Sequence, residues 1–471
     1  MEATGRGRQW IWAPLACWVA AYLMCVAAPL RPQTSDSTPG FLGAVTLACH
    51  GDQNLARIPW VDASVRTNPV PYWAVITPDG RALVSTFGPA PAWLGRPMLI
   101  GLQPGQIVEE TAIRGRVRHM CALAIGTTAA FACLAAMAWT PWWTAVIVAL
   151  LGACSFAGAP TLGQALWQQT AALPLLMAGC AAAAWAGRSR PAAVLAPAAI
   201  VCAALVRPVD APLGLAIGVT WMLALRERKK EQVSREIVWS LVTVLLVALV
   251  AVPIVLWNLE NLGTLLPSGQ WIRNQAQTER VFDLSPAHIA GALAGLMVSP
   301  ARGLLWFAPI AVVGVALALG GRTGAMTRIT ARVLAIGVLA QVLVTAAFFR
   351  WWGGVSFGPR LLAGATWVAL VLAAAHAAEL GVRMRVAWRG AAALTAVIGL
   401  LGTLGWDPAQ WEFPAQPDSH PERLWQVKDT PLLWLFTPPR WQNARRVGPD
   451  KTIFCPQGAS GQYSLGRTRS E

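Results

Sequence analysis

Eleven apolar runs dominate this chain, most of them long enough to cross a hydrocarbon core of roughly 30 Å. They lie at about 10–30, 119–139, 142–158, 169–187, 191–206, 211–226, 237–257, 303–320, 331–349, 361–379 and 390–406. Lipid offers the backbone no hydrogen-bond partners, so a spanning run has to satisfy its own N–H and C=O groups as a helix. The expected fold is an all-α polytopic membrane protein with about 11 transmembrane helices. The runs at 191–206 and 211–226 are short and are separated only by Arg207-Pro208-Val209-Asp210. Composition agrees: 55% of the 471 residues are hydrophobic and 13% charged, against roughly 25% charged in soluble domains.

Charge sets the expected orientation. The net charge is +15, and arginine supplies 33 of the 37 basic residues. With a cytoplasmic N-terminus, one side collects Arg6, Arg8, Arg188, Arg190, Arg226, Arg228, Lys229, Lys230 and Arg235, then Arg322, Arg328, Arg332, Arg383, Arg385 and Arg389. That is the bias of cytoplasmic loops, and an odd number of spans then leaves the C-terminus outside. No basic run interleaves with aromatics as a nucleic-acid surface would, so the excess charge reads as topology and contact with lipid headgroups. The first run is too long for a signal-peptide core of 7–15 residues and reads as an uncleaved anchor.

Three long segments fall on the outer face: 31–118, 258–302 and the tail 407–471, which follows the membrane domain 1–406. With Asp210 they carry seventeen of the 22 acidic residues, so any chemistry belongs on that face. In the first segment, Thr77-Pro78-Asp79-Gly80-Arg81 separates two β-prone stretches, and Asp-Gly at such a place signals a hairpin. The proline-punctuated apolar stretch behind it is too short to span and reads as a helix lying in the interface. In the second, residues 286–298 read as a partly inserted helix.

Between the runs at 331–349 and 361–379 stands Arg350-Trp351-Trp352-Gly353-Gly354-Val355-Ser356-Phe357-Gly358-Pro359-Arg360. Reversing the chain needs no paired arginines, two tryptophans and three glycines. Glycine admits close backbone approach, arginine grips phosphate with a planar fork, and tryptophan favours the headgroup boundary. The same residues also make an ordinary interfacial anchor, with arginines facing phospholipid.

The motifs taken in order resemble a known family. Gly51-Asp52-Gln53, then Asp79-Gly80-Arg81 and Ser85-Thr86-Phe87-Gly88-Pro89-Ala90-Pro91, look like the first outer loop of bacterial GT-C glycosyltransferases. Ala165-Leu166-Trp167-Gln168, Arg207-Pro208 and Ser299-Pro300-Ala301-Arg302-Gly303-Leu304 follow in the same order, as do Trp352 to Arg360 and Pro421-Glu422-Arg423-Leu424-Trp425. The resemblance covers about 10–430 and is to members related to the protein mannosyltransferase and lipid A aminoarabinose transferase group. It implies a bacterial inner-membrane enzyme that passes a sugar from a polyprenyl-phosphate carrier to a lipid, glycan or protein acceptor on the outer face. A first-loop acid is the expected general base, and the resemblance puts it on Asp52. An acceptor hydroxyl is a weak nucleophile, and a placed carboxylate takes its proton during attack. The carrier phosphate leaves with growing negative charge, which Arg360, Arg302 and Arg207 would neutralise. Gln168, Trp352, Gly353 and Gly354 complete the expected binding set, and single-displacement inversion is the expected course.

Two departures stand out. Relatives often carry paired acids where this chain has Asp52-Gln53, so either a second carboxylate would come from Asp62 or Asp36 or none is needed; and Gln169 stands where relatives often have histidine. They leave activity, acceptor and dependence on a divalent metal open, with a transporter, a flippase or a non-catalytic binder of lipid-linked sugar as rivals. From the residues alone, Asp52 also suits a helix N-cap, Arg207 a pair with Asp210, and the tryptophans membrane anchoring. His376 reads as helix packing, whereas His50 could bind a metal or tune Asp52. Seven of the nine cysteines sit in or beside apolar runs as small hydrophobes. Cys49 and Cys455 lie in polar segments on the oxidising side, where a disulfide would tie the tail to the first loop.

Overall fold

The computed structural model describes residues 3–31, 36–67, 70–226, 233–266, 281–320, 326–406, 411, 417–436 and 452–454. Its long helices follow the apolar runs: α1 (Ala3–Ala27), α5 (Glu110–Met137), α6 (Trp142–Cys154), α7 (Gln168–Trp185), α8 (Arg190–Val206), α9 (Ala211–Arg226) and α10 (Val233–Leu262). After α11 (Pro286–Val298) come α12 (Pro309–Leu319), α13 (Arg328–Ala346), α14 (Ala363–Ala377) and α15 (Val382–Gly405). Among the described residues, six helical stretches are long and apolar enough to cross a membrane, and shorter apolar helices accompany them. The protein is therefore mostly helical and multi-spanning, while the count of eleven stays an expectation from the sequence. The 303–320 run is not one helix: Leu304–Phe307 forms a single turn before Pro309 opens α12.

α14 is the axis. Of its most apolar window 89% is buried, because α12, α13, α6, α5 and α7 pack round it. Without a hydrophobic drive between helices in lipid, such closeness depends on small residues at the contacts. Trp367 of α14 fits because Gly152 of α6 has no side chain: a Cβ there would come within 2.3 Å of the indole ring. The Trp367 Nε1–H donates to Ala157 O at 3.0 Å, so the buried indole is satisfied. Gly152→Val should overpack this contact, costing about 1–3 kcal/mol, read as a lower melting temperature in detergent. α10 is the opposite case, with only 11% of its window buried, as expected of a helix on the lipid side.

The first long loop is itself folded. It holds α2 (Thr38–His50), α3 (Pro59–Thr67), the strands β1 (Ala74–Ile76) and β2 (Leu83–Ser85), α4 (Ala90–Gly95) and β3 (Ile107–Glu109). The expected hairpin is present: β1 pairs antiparallel with β2, Val75 facing Val84. Gly80 closes the turn at φ 73°. Asp79 caps it, accepting from Thr77 Oγ1 at 2.6 Å and Arg81 N at 3.1 Å. Those hydrogen bonds hold its carboxyl below the usual range. The stretch read as an interfacial helix contains α4 and a 3-10 turn at Arg96–Leu99. β3 pairs antiparallel with β4 (Thr452–Phe454), which returns part of the tail to this loop. Cys49 is disulfide-bonded, and the seven cysteines of the apolar runs are free and buried. Cys455, its expected partner, lies outside the described residues.

Candidate functional site

The loop end of the helix bundle holds a cavity of about 190 Å3 whose walls come from chain positions far apart. Arg207, Arg350 and Arg360 line it together with Asp36 and Asp418. Each guanidinium has a carboxylate partner, Asp210 for Arg207, Asp418 for Arg350 and Asp36 for Arg360, so what the wall offers an anionic ligand is guanidinium N–H donors.

The turn at 350–360 builds the centre. Gly353 and Gly354 follow one another at φ 74° and 64°, a left-handed pair that other residues adopt only with strain. The pair turns backbone carbonyls towards two arginines. Arg360 Nε donates to Gly353 O at 2.7 Å. Arg302 donates to Trp352 O at 3.1 Å and to Gly354 O at 2.9 Å. Arg360 is only 4% exposed, lies 3.9 Å above the Trp167 ring and forms an ion pair with Asp36. Asp36 also accepts from the Tyr72 hydroxyl. Buried on all sides, the Arg360 guanidinium depends on this set of partners, since removing one member of a buried pair costs about 3–5 kcal/mol.

On the flanks, Arg207 is clasped by Asp210 and donates to Leu361 O at 2.9 Å, so both sequence readings of Arg207 meet in one residue. Gln168, at the start of α7, donates through Nε2 to Phe87 O at 2.8 Å and lines the cavity beside Gln169. Arg350 pairs with Asp418 at 3.2 Å.

The expected site residues divide. Arg360, Arg207, Gln168, Gly353 and Gly354 line the cavity, whereas Asp52, Arg302 and Trp352 do not. Asp52 lies in the turn after α2, where Arg57 Nε donates to its carboxylate at 2.9 Å and Asn54 N at 3.1 Å; its side chain is 41% exposed. That is the turn role open to it from the sequence. Neighbouring His50 is pushed down by burial and by Arg57, with Asp52 opposing. Arg302 is wholly buried and donates to the backbone carbonyls of Ala301, Trp352 and Gly354. It fastens the turn from behind. Trp352 sits behind the wall as well, its Nε1–H donating to Asp418 at 2.8 Å.

Asp36, Tyr72 and Asp418 are what the sequence reading underweighted. Asp36 entered only as a reserve acid, although it stands directly after the first span; nothing in the local pattern marks Asp418. Among the described residues no three His, Cys, Asp or Glu side chains gather as a metal site. Both cavity carboxylates are already held by guanidinium groups, a donor set that does not fit a protein-held divalent cation.

The segment after α15 contributes Asp418 to the cavity wall. Ser299 Oγ donates to Leu424 O at 2.6 Å, and the Arg302 and Arg423 guanidinium groups lie 5.0 and 4.8 Å from the Trp411 ring. Arg423 donates to Asp429 at 2.6 and 2.9 Å. Burial pushes the Asp429 carboxyl up, but Arg423 and the Trp434 and Trp411 N–H groups outweigh it, and the net shift is down. A folded-state value below the unfolded one gives stability that is present at neutral pH and lost as pH falls through the depressed value. Acidification should therefore loosen this segment, read as faster proteolysis near 429, and Asp429→Asn should remove the pH dependence.

No family model and no curated protein matches the sequence. Among solved structures the chain is similar to ArnT from Cupriavidus metallidurans bound to undecaprenyl phosphate, at 15% identity. The match covers 82% of this chain and 62% of that one, with a TM-score of 0.44. It is also similar to the archaeal oligosaccharyltransferase AglB from Archaeoglobus fulgidus, in complex with an inhibitory peptide and a dolichol-phosphate, at 13% identity. There the shares are 88% and 60%, with a TM-score of 0.37. These structural neighbours are GT-C superfamily members. The chain spans about three-fifths of the length of either.

Proposed function

We propose that the protein transfers a sugar from a polyprenyl-phosphate carrier to an acceptor at the outer membrane surface, with Asp36 rather than Asp52 as general base. The observation that carries this reading is the convergence of Arg360, Arg207 and Asp36 on one cavity at the head of a lipid-embedded bundle. A phosphate on a lipid chain would reach that height with its tail still in the bilayer, and guanidinium forks suit its oxygens. The acceptor oxygen attacks the anomeric carbon as the carbon–oxygen bond to phosphate breaks. The bonding pair leaves on the phosphate, Arg360 and Arg207 offset its charge, and the acceptor proton passes to Asp36. One displacement inverts the anomeric centre and needs no enzyme nucleophile.

The arginine bias supports a cytoplasmic N-terminus, and with that orientation the cavity faces the periplasm. Trp167 supports Arg360 through its ring face, a contact worth about 2 kcal/mol when desolvated. The reading is tested by incubating purified protein with radiolabelled polyprenyl-phosphate sugars and a membrane acceptor extract. Label should move to the acceptor and leave bare polyprenyl phosphate behind. If label stays on the carrier while the protein still moves it across the vesicle membrane, transport is the function instead.

A further inference from the structure

Asp418 is the second carboxylate of the cavity, and neither the carrier phosphate nor the proton transfer explains it. It lines the cavity together with Asp36. Its Oδ1 accepts from Trp352 Nε1 at 2.8 Å and its Oδ2 lies 3.2 Å from Arg350. As a clasp for an indole N–H, a neutral asparagine would serve as well. A carboxylate there instead opposes the anion for which the arginines are suited, because like charges in a partly buried site repel more strongly than in water. The ion pair with Arg350 offsets that charge, and the open part of the carboxylate on the cavity wall calls for a ligand of its own.

Hydroxyl groups supply one. Arginine only donates hydrogen bonds, whereas a carboxylate accepts several at once. Asp36 is already gripped by Tyr72 and Arg360. Asp418 meets Trp352 on Oδ1 and Arg350 on Oδ2, and 31% of its side chain is open. Phe87, Phe348 and Phe349 line the same cavity, giving an apolar surface for the carbon face of a sugar ring. Its mount is firm, because the surrounding segment is pinned through Leu424, Arg423 and Trp411.

We infer that Asp418 is a specificity residue: it accepts hydrogen bonds from the sugar hydroxyls and so lets the cavity prefer a sugar-bearing carrier to the bare carrier phosphate. This rests on the reading of the cavity as a site for a polyprenyl-phosphate sugar. The proposed residue binds substrate and takes no part in the proton transfer.

The test measures binding of two probes to the full-length protein in detergent: bare polyprenyl phosphate, and the tightest binder from a panel of polyprenyl-phosphate hexose, N-acetylhexosamine and pentose. Wild type should prefer the sugar-bearing carrier. Asp418→Asn keeps an acceptor for Trp352 but loses the charge. It should bind bare phosphate equally or more tightly while binding the sugar-bearing carrier about tenfold more weakly, the scale of one charge-assisted hydrogen bond. Asp418→Glu should recover part of the preference. A purely structural role would move both ligands by the same factor, and that outcome would overturn the inference, as would a wild type with no preference. A wild type that binds neither probe overturns the underlying reading of the cavity instead.

Discussion

Asp36→Asn is expected to lower sugar transfer by about 10²–10⁴-fold, the range of a lost general base, with carrier binding retained. Asp52→Asn is expected to stay within about twofold of wild type, the scale of a substitution away from the working parts. The contrast follows from position. Asp36 sits in the cavity with Arg360 and Tyr72, whereas Asp52 is held in a turn by Arg57 and Asn54. Asparagine at 36 still accepts a hydrogen bond from Tyr72 but leaves the buried Arg360 guanidinium without its carboxylate, a loss of about 3–5 kcal/mol, so melting temperature is read beside turnover. Turnover and carrier binding measured on both variants decide between the two acids. Full activity in Asp36→Asn, or its loss in Asp52→Asn alone, would return the base to Asp52.

Arg360→Lys should weaken binding of the bare polyprenyl phosphate by about 10–100-fold, the scale of one or two charge-assisted hydrogen bonds. Lysine keeps the charge but not the planar fork. It cannot at once reach Gly353 O, pair with Asp36 and lie flat on Trp167 as Arg360 does. Arg302→Lys should behave differently. Its bonds run to the backbone behind the cavity, so melting temperature should fall first and any loss of binding follow from a loosened turn. Thermal melts in detergent beside binding isotherms separate the two effects. Equal loss of binding with unchanged melting in both would place Arg302 at the ligand after all.

The helices were legible because a run that cannot share its hydrogen bonds with lipid has one solution. The Asp79-Gly80 hairpin was legible because its turn chemistry is local. The broken helix at 304–319 was half-visible in Pro309. The cavity was less so. Arg360 could be picked from its turn, but the acid that meets it stands 324 residues earlier, and no local pattern ranks Asp36 above Asp52. Arg302 carries the same chemistry as Arg360 on paper; only the fold shows that its donors are taken up by carbonyls. Asp418 belongs to a segment whose ordering depends on Trp411 and Ser299, contacts that leave no periodic trace.

The pairing of Asp36 with Arg360 also has a history in time. Ribosomes add roughly 5–20 residues per second, so Asp36 emerges tens of seconds before its partner, with most of the spans still to be inserted. During that interval a loop acid and the hydroxyl of Tyr72 wait in the aqueous phase without their guanidinium. The Arg350–Asp418 pair closes later still, because it needs the segment beyond α15. Assembly of the cavity is thus a late event, and a chain halted before Arg350 would present the first loop without its guanidinium partner and without the β4 strand that pairs with β3.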